Sequence, residues 1–338
     1  MAAQRITVLG AGSWGTALAL QAVRAGHRVT LWGRDESLID ALGRSRENHR
    51  YLPGVTLPDA LTPEADIQRA LAGADGVIVA TPSSTFSSML DAVAAHSDRP
   101  ALIWACKGFE LKTGRLLHAV AAEKFGDRYP MAIATGPSFA REVAIGLPTA
   151  ITVAANDLRT ADALADWLRS DAFRAYTSDD IVGAQVGGAL KNVLAIAAGI
   201  SDGLRYGANA RAALITRGLA ELTRIGVALG GRPDTLAGLT GLGDLLLTAT
   251  DDQSRNRRFG LAIADGGGVA AAQASVGQTV EGYLAAEAAW QLAQQLGVEA
   301  PIIEQVYAVL YNAKQPDHAV RSLLSRGSRA ESDRRDLT

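Results

Sequence analysis

The sequence predicts an α/β domain built on a mainly parallel sheet, followed by an all-α domain. Three observations carry this. Apolar runs of strand length alternate with amphipathic segments through the first half. From about Asp180 onward only long, Ala- and Leu-rich helical patterns follow. The length, 338 residues, exceeds the size at which one hydrophobic core usually stops growing.

The strand-like runs are Ile6–Leu9, Val29–Trp32, Val77–Ala80, Leu102–Ala105, Met131–Ala134 and Ile151–Ala154. Amphipathic segments at Thr16–Ala25, Phe86–Ala95 and Leu116–Phe125 lie between several of them, as crossover helices do. The later helical segments are Ile181–Gly203, Ala210–Leu229, Gly243–Thr250, Tyr283–Leu296 and Ile302–Tyr311, with Gly266–Gly268 as a loop. This divides the chain into residues 1–180, residues 181–325 and a charged, apolar-poor tail, 326–338, expected to be mobile. Ile181–Ile200 has the length of a membrane span, but Gln185, Lys191 and Asn192 lie inside it. A buried core helix is the better reading.

Apolar residues make up 48% and charged residues 20%, an ordinary globular balance. A net charge of −2 gives no electrostatic reason to expect nucleic acid or an anionic membrane as partner. The single cysteine, Cys106, cannot form an intrachain disulfide, and no secretory pattern precedes Ile6. A cytoplasmic protein is expected. The five histidines lack ligand spacing, so no metal site is expected.

Gly10-Ala11-Gly12-Ser13-Trp14-Gly15 follows the first strand and opens the first helix. In that context the glycines allow a tight turn, close approach of a pyrophosphate and tight helix–strand packing. The helix N-terminus adds free N–H groups and partial positive charge. These features mark a dinucleotide site. At the end of the second strand, Arg34 suits a 2′-phosphate and favours NADP(H), while Asp35 keeps NAD open.

Lys107 follows a strand, where ligand groups gather in parallel sheets. Gly136-Pro137-Ser138 follows another strand, with Ser138 expected to cap a helix. Lys191 lies within an apolar helix. It is either a lysine that reaches out along its stem or a cleft residue suited to acid–base work. Asp244 and Thr248 stand four apart and so share a helix face, placed to meet the lysines. Ser254-Arg255-Asn256-Arg257-Arg258 offers a guanidinium and an amide for a phosphate, against the bland alternative of a solvated run.

In order, several stretches resemble the bacterial NAD(P)-dependent glycerol-3-phosphate dehydrogenases. They are Gly10–Ala19, Tyr51–Gly54, Thr81–Ser83, Cys106–Gly108, Gly136–Ala140, Lys191–Val193, Asn209–Gly218, Gly238–Asp244, Ser254–Asn256 and Val280–Gly282. The resemblance implies a doubly wound (Rossmann) first domain and a helical second one, with the active site in the cleft between them. It implies that Lys191 is the catalytic acid–base, with Lys107 its partner and Asp244 orienting. It implies substrate contacts from Lys107, Gly136, Ser138, Lys191, Asp244, Thr248, Ser254, Arg255 and Asn256. Cofactor contacts fall on Ser13, Trp14, Arg34, Lys107, Ala140, Arg255, Val280 and Glu281, besides Gly10, Gly12 and Gly15, with His49 and Arg50 nearby. The implied substrate is a small phosphorylated triose, dihydroxyacetone phosphate, and the implied role is to supply glycerol phosphate for phospholipid synthesis. Leu261–Ser275 and the tail depart from the family pattern.

Two alternatives stand beside this. Another two-domain oxidoreductase, a β-hydroxyacid dehydrogenase or ketopantoate-type reductase, is disfavoured by Arg255 and Asn256. A non-catalytic NADP(H)-sensing module would have no need of Lys107, Lys191 and Asp244 together. Frequency alone makes a homodimer the default assembly.

Overall fold

The computed structural model describes residues 2–96, 99–110 and 113–326. The expected tail lies outside these from residue 327 on. The chain separates into two compact units, dividing between Gln185 and Val186.

Among the described residues the first unit contains ten strands: β1 (Arg5–Leu9), β2 (Arg28–Trp32), β3 (Glu47–Asn48), β4 (Leu52–Thr56), β5 (Leu61–Glu64), β6 (Gly76–Val79), β7 (Ala101–Trp104), β8 (Met131–Thr135), β9 (Thr149–Ala155) and β10 (Phe173–Ser178). Eight form one sheet in the order β10-β9-β8-β7-β6-β1-β2-β5, and β3 pairs with β4. All neighbours in the large sheet run parallel except β8 and β9. Its central strands are buried on both faces, hence the unbroken apolar runs. From β1 the chain winds outward through β2 to β5, then returns to β6 on the other side of β1. That reversal makes the C-terminal ends of β1 and β6 the expected ligand crevice.

Both edge strands escape the sequence reading. β5 contains Pro63, tolerated at an edge because one side of the strand has no ladder to complete. β10 alternates buried Phe173 and Ala175 with exposed Arg174 and Tyr176. Ser138 does not cap a helix as expected. The helix Ala140–Ile145 has Phe139 at its cap position, and the Ser138 hydroxyl donates to the Gly136 carbonyl at 3.0 Å. Arg24 holds the other end of that helix, donating to the Val143 and Ala144 carbonyls. A cation there complements the helix dipole.

The helix Ile181–Gly203 starts where the sequence places the second domain, but its first turn packs with the first unit. Ile181 and Ala184 join the apolar cluster of β6 and β7, and Gln185 bonds the backbone N–H and ring of His118. The compact division therefore falls inside the helix. Its most apolar window is 94% buried within the protein, as a core helix requires.

Among the described residues the second unit is helical throughout. The segment expected as a helix, Gly243–Thr250, is helical over Asp244–Thr250 and is entered through a wide π turn, Leu239–Gly243. The arginine run begins a helix, Arg255–Ala264, that crosses Ile181–Gly203 backbone to backbone. A Cβ on Gly260 would lie 2.9 Å from the Gly199 Cα.

Glu221, in the helix Gly207–Ala228, is buried at 2% exposure. It accepts the Ile302 and Ile303 N–H groups at 2.8 and 3.2 Å, closing the start of the helix Pro301–Tyr311. Burial pushes its carboxyl up to about 7 from an ordinary 4.5. The folded chain therefore holds a proton that the unfolded chain has released, and stability falls as pH rises from about 4.5 to about 7. Glu221→Gln removes that component. Denaturant titrations at several pH values across this window should give a flatter stability curve for the variant than for the native chain.

Candidate active site

The first unit carries its candidate residues at the turn after β1. Gly10 adopts φ of 122°, and a Cβ there would sit 3.0 Å from the Ala80 carbonyl, just beyond β6. A Cβ on Gly15 would collide with the Gly10 carbonyl oxygen. Both glycines are thus spent on close packing at the switch point. Gly12 differs: a Cβ there would meet nothing within 4 Å. The helix Ser13–Arg24 begins at that open position with no side-chain cap and no acidic residue in its first turn. A half-buried helix start beside open space suits a diphosphate. The Trp14 Nε1 and Thr81 Oγ1 atoms are buried without a protein partner, Thr81 lying against Gly10. These residues fit a dinucleotide.

Arg34 is exposed just past β2. Asp35 is committed to structure. It caps the helix Glu36–Ser45, accepting from the Ser37 hydroxyl at 2.7 Å and the Leu38 N–H at 3.1 Å, and it pairs with Arg50 at 3.3 Å. The Ser37 and Leu38 hydrogen bonds hold its carboxyl below the usual range. His49 is exposed and pairs with Glu47. Past β7, Lys107 is half-buried and donates to the Gly136 carbonyl at 3.3 Å, the same oxygen Ser138 engages. Lys107, Gly136 and Ser138 thus meet beyond two adjacent strands. Ala140 is half-buried at the start of its helix.

In the second unit, Lys191, Asp244 and Thr248 meet at 7%, 0% and 5% exposure. The Lys191 ammonium pairs with the Asp244 carboxylate and donates to the Thr248 hydroxyl at 2.8 Å; that hydroxyl lies 3.4 Å from Asp244. Lys191 is therefore held by buried partners rather than reaching along its stem to water. A buried ammonium needs such a partner, because leaving water costs several kcal/mol per ion.

Beside it, Asn192 bridges two segments. It accepts from the Asn256 amide at 2.8 Å and donates to Glu281 at 3.3 Å, while Asn256 accepts the Gly282 N–H at 2.9 Å. The sequence reading singled out Asn256, Val280 and Glu281 but gave no role to Asn192, which it carried only within the Lys191–Val193 stretch. Val280 is buried as the cap position of the helix beginning at Glu281. Ser254 caps the helix Arg255–Ala264 by accepting the Arg257 N–H at 3.2 Å.

The three arginines do not form one clamp. Arg255 is half-buried and reaches Gln278 at 3.4 Å. Arg257 is buried in ion pairs with Asp202 and Asp252, and Arg258 is exposed. Helical spacing of about 100° per residue turns Arg257 to the far side of the helix from Arg255. Among the described residues no group of histidine, cysteine and carboxylate side chains is arranged to hold a metal.

Comparison with known proteins follows the two-unit division. The profile described as NAD-dependent glycerol-3-phosphate dehydrogenase N-terminus matches residues 5–161, and its C-terminus counterpart matches residues 180–321. A glycerol-3-phosphate dehydrogenase [NAD(P)+] of Pseudoalteromonas translucida (strain TAC 125) is 53% identical over 332 residues, covering 98% of this chain and 99% of that protein. One of Thioalkalivibrio sulfidiphilus (strain HL-EbGR7) is 53% identical over 327 residues, covering 96% and 98%. The 2.1 Å crystal structure of glycerol-3-phosphate dehydrogenase from Coxiella burnetii superposes with a TM-score of 0.92 at 43% identity, covering 96% of this chain and 99% of that one.

Proposed function

This chain belongs to the NAD-dependent glycerol-3-phosphate dehydrogenase family, and from that premise we propose that it interconverts dihydroxyacetone phosphate and sn-glycerol 3-phosphate using NADPH or NADH. The observation that carries the reading is the buried Lys191–Asp244–Thr248 cluster, which holds a proton donor in fixed geometry.

The reduced nicotinamide, when bound, supplies hydride to C2 of the ketone. The oxygen on C2 then becomes an alkoxide and needs a proton. Lys191 donates it, and takes it back in the reverse direction. Asp244 and Thr248 orient the ammonium. Lys107 supplies positive charge where the alkoxide develops. Gly136 and Ser138 line the strand ends beside it, while Ser254, Arg255 and Asn256 hold the phosphate and fix the ketone for reaction. On the cofactor side, Gly10, Gly12, Ser13, Trp14 and Gly15 receive the diphosphate, with Ala140, Val280 and Glu281 contributing further contacts. The reading extends to a cytoplasmic enzyme that supplies phospholipid synthesis and works as a homodimer, a state light scattering reads directly. Identification of the product by NMR as sn-glycerol 3-phosphate tests the reaction.

Arg34 carries the cofactor preference in this account, because Asp35 is occupied as a helix cap. Arg34→Ala removes a charge-assisted contact to the 2′-phosphate. KM for NADPH should rise roughly 10–100-fold, the reach of one hydrogen bond to a charged group, while KM for NADH stays within about twofold. Equal changes for both cofactors would remove Arg34 from this role.

A further inference from the structure

We propose that Asn48 is a positioning residue for the cofactor's diphosphate: it fixes the Ala11–Gly12 peptide so that the Gly12 N–H faces outward. The inference rests on the dinucleotide reading of the glycine loop and not on the identity of the substrate.

Asn48 is fully buried at 0% exposure on β3. Its Nδ2 donates to the Ala11 carbonyl at 3.0 Å and to the Thr16 hydroxyl at 2.9 Å. Its Oδ1 accepts the Tyr51 N–H at 3.1 Å. A carbonyl can only accept and a backbone N–H can only donate, so these partners admit one orientation of the amide. One side chain thus ties together the glycine turn, the first turn of the following helix and the segment that leads into β4. The Ser13 hydroxyl closes the ring by donating to the Tyr51 carbonyl at 2.7 Å.

The consequence follows from peptide geometry. In a planar trans peptide the carbonyl and the next N–H point in opposite directions. Asn48 draws the Ala11 carbonyl inward, so the Gly12 N–H is turned away from the interior, at the position where a Cβ would meet open space. Without Asn48 the buried Ala11 carbonyl and Thr16 hydroxyl lose this donor, and the peptide is free to rotate to find another. The glycines permit the turn, while Asn48 selects one of the conformations they permit.

The test is calorimetric titration of Asn48→Ala with NADPH, ADP and adenosine 2′-monophosphate, the last of which has no diphosphate. Affinity for NADPH and ADP should fall about 10–100-fold, and affinity for adenosine 2′-monophosphate should stay within about twofold. At saturating cofactor, kcat should be retained while KM for NADPH rises. If Asn48→Ala does not fold, Thr16→Val removes one of the two acceptors and should show the same selectivity with a fall of about three- to tenfold. Equal weakening of all three ligands, or of none, overturns the proposal. A merely structural defect would not single out the ligands that carry a diphosphate. The titration involves no turnover, so it stands or falls apart from the substrate assignment.

Discussion

Replacing Lys191 with alanine is expected to lower kcat by about 10²–10⁴-fold, the span that general acid–base catalysis supplies. The alkoxide formed at C2 is a strong base, and Lys191 is the cationic donor of the buried Lys191–Asp244–Thr248 cluster. The loss should fall on kcat more than on KM for the cofactor, because the glycine loop and Arg34 are untouched. Pre-steady-state mixing of the variant with NADPH and dihydroxyacetone phosphate checks this by showing slow chemistry rather than slow product release. Turnover near the native rate in that variant would take the proton-donor role from Lys191.

Asp244→Ala should cost about 3–5 kcal/mol of stability, the range for breaking a buried ion pair by removing one partner. With side chains 8% and 1% exposed, the surviving ammonium would have no aqueous refuge without rearrangement. Denaturant unfolding of the second unit reads the loss. A companion variant separates stability from chemistry. Replacing the pair together, Lys191→Met with Asp244→Leu, removes both charges, and apolar replacements of similar volume are often neutral or stabilising. The double variant should regain most of the lost stability and remain inactive. Recovery of activity with it would show that the pair is scaffolding. A stability loss no larger than about 1 kcal/mol in Asp244→Ala would show that water reaches Lys191.

Much of this arrangement is legible before any coordinates. The buried central strands announce themselves because a strand covered on both faces must be apolar at every position, as Val77–Val79 and Leu102–Trp104 are. The glycine turn is legible because its spacing sits between a strand and a helix. The edges are not legible. Pro63 reads as a breaker unless the strand is known to have an open side, and the alternation in β10 is too short to stand out beside a helical neighbour. In the second unit the four-residue spacing of Asp244 and Thr248 gives their shared face. The sequence reading aims that face at the lysines without choosing between them, and the fold pairs it with Lys191, 53 residues before Asp244.

Local pattern also misassigns donors and acceptors. Asp35, read as keeping NAD open, also caps the helix it precedes through its Oδ1, while its Oδ2 faces Arg50. Ser138 reads as a cap, but its hydroxyl turns back to Gly136. Arg255, Arg257 and Arg258 read as one cationic cluster, yet Arg257 is consumed by Asp202 and Asp252. Asn48 carries no signal at all, because asparagine is among the residue types that turns commonly use, and β3 is only two residues long. Each of these depends on which distant groups fold brings within hydrogen-bond range, and that information is not local.

The most direct test of the central claim follows nicotinamide absorbance as the purified protein meets dihydroxyacetone phosphate with NADPH or NADH in parallel. The account predicts rapid oxidation of at least one cofactor, faster with NADPH, and formation of sn-glycerol 3-phosphate. Tight cofactor binding with no oxidation of either would contradict the assigned reaction and point to another ketone substrate or to a sensor of the bound dinucleotide.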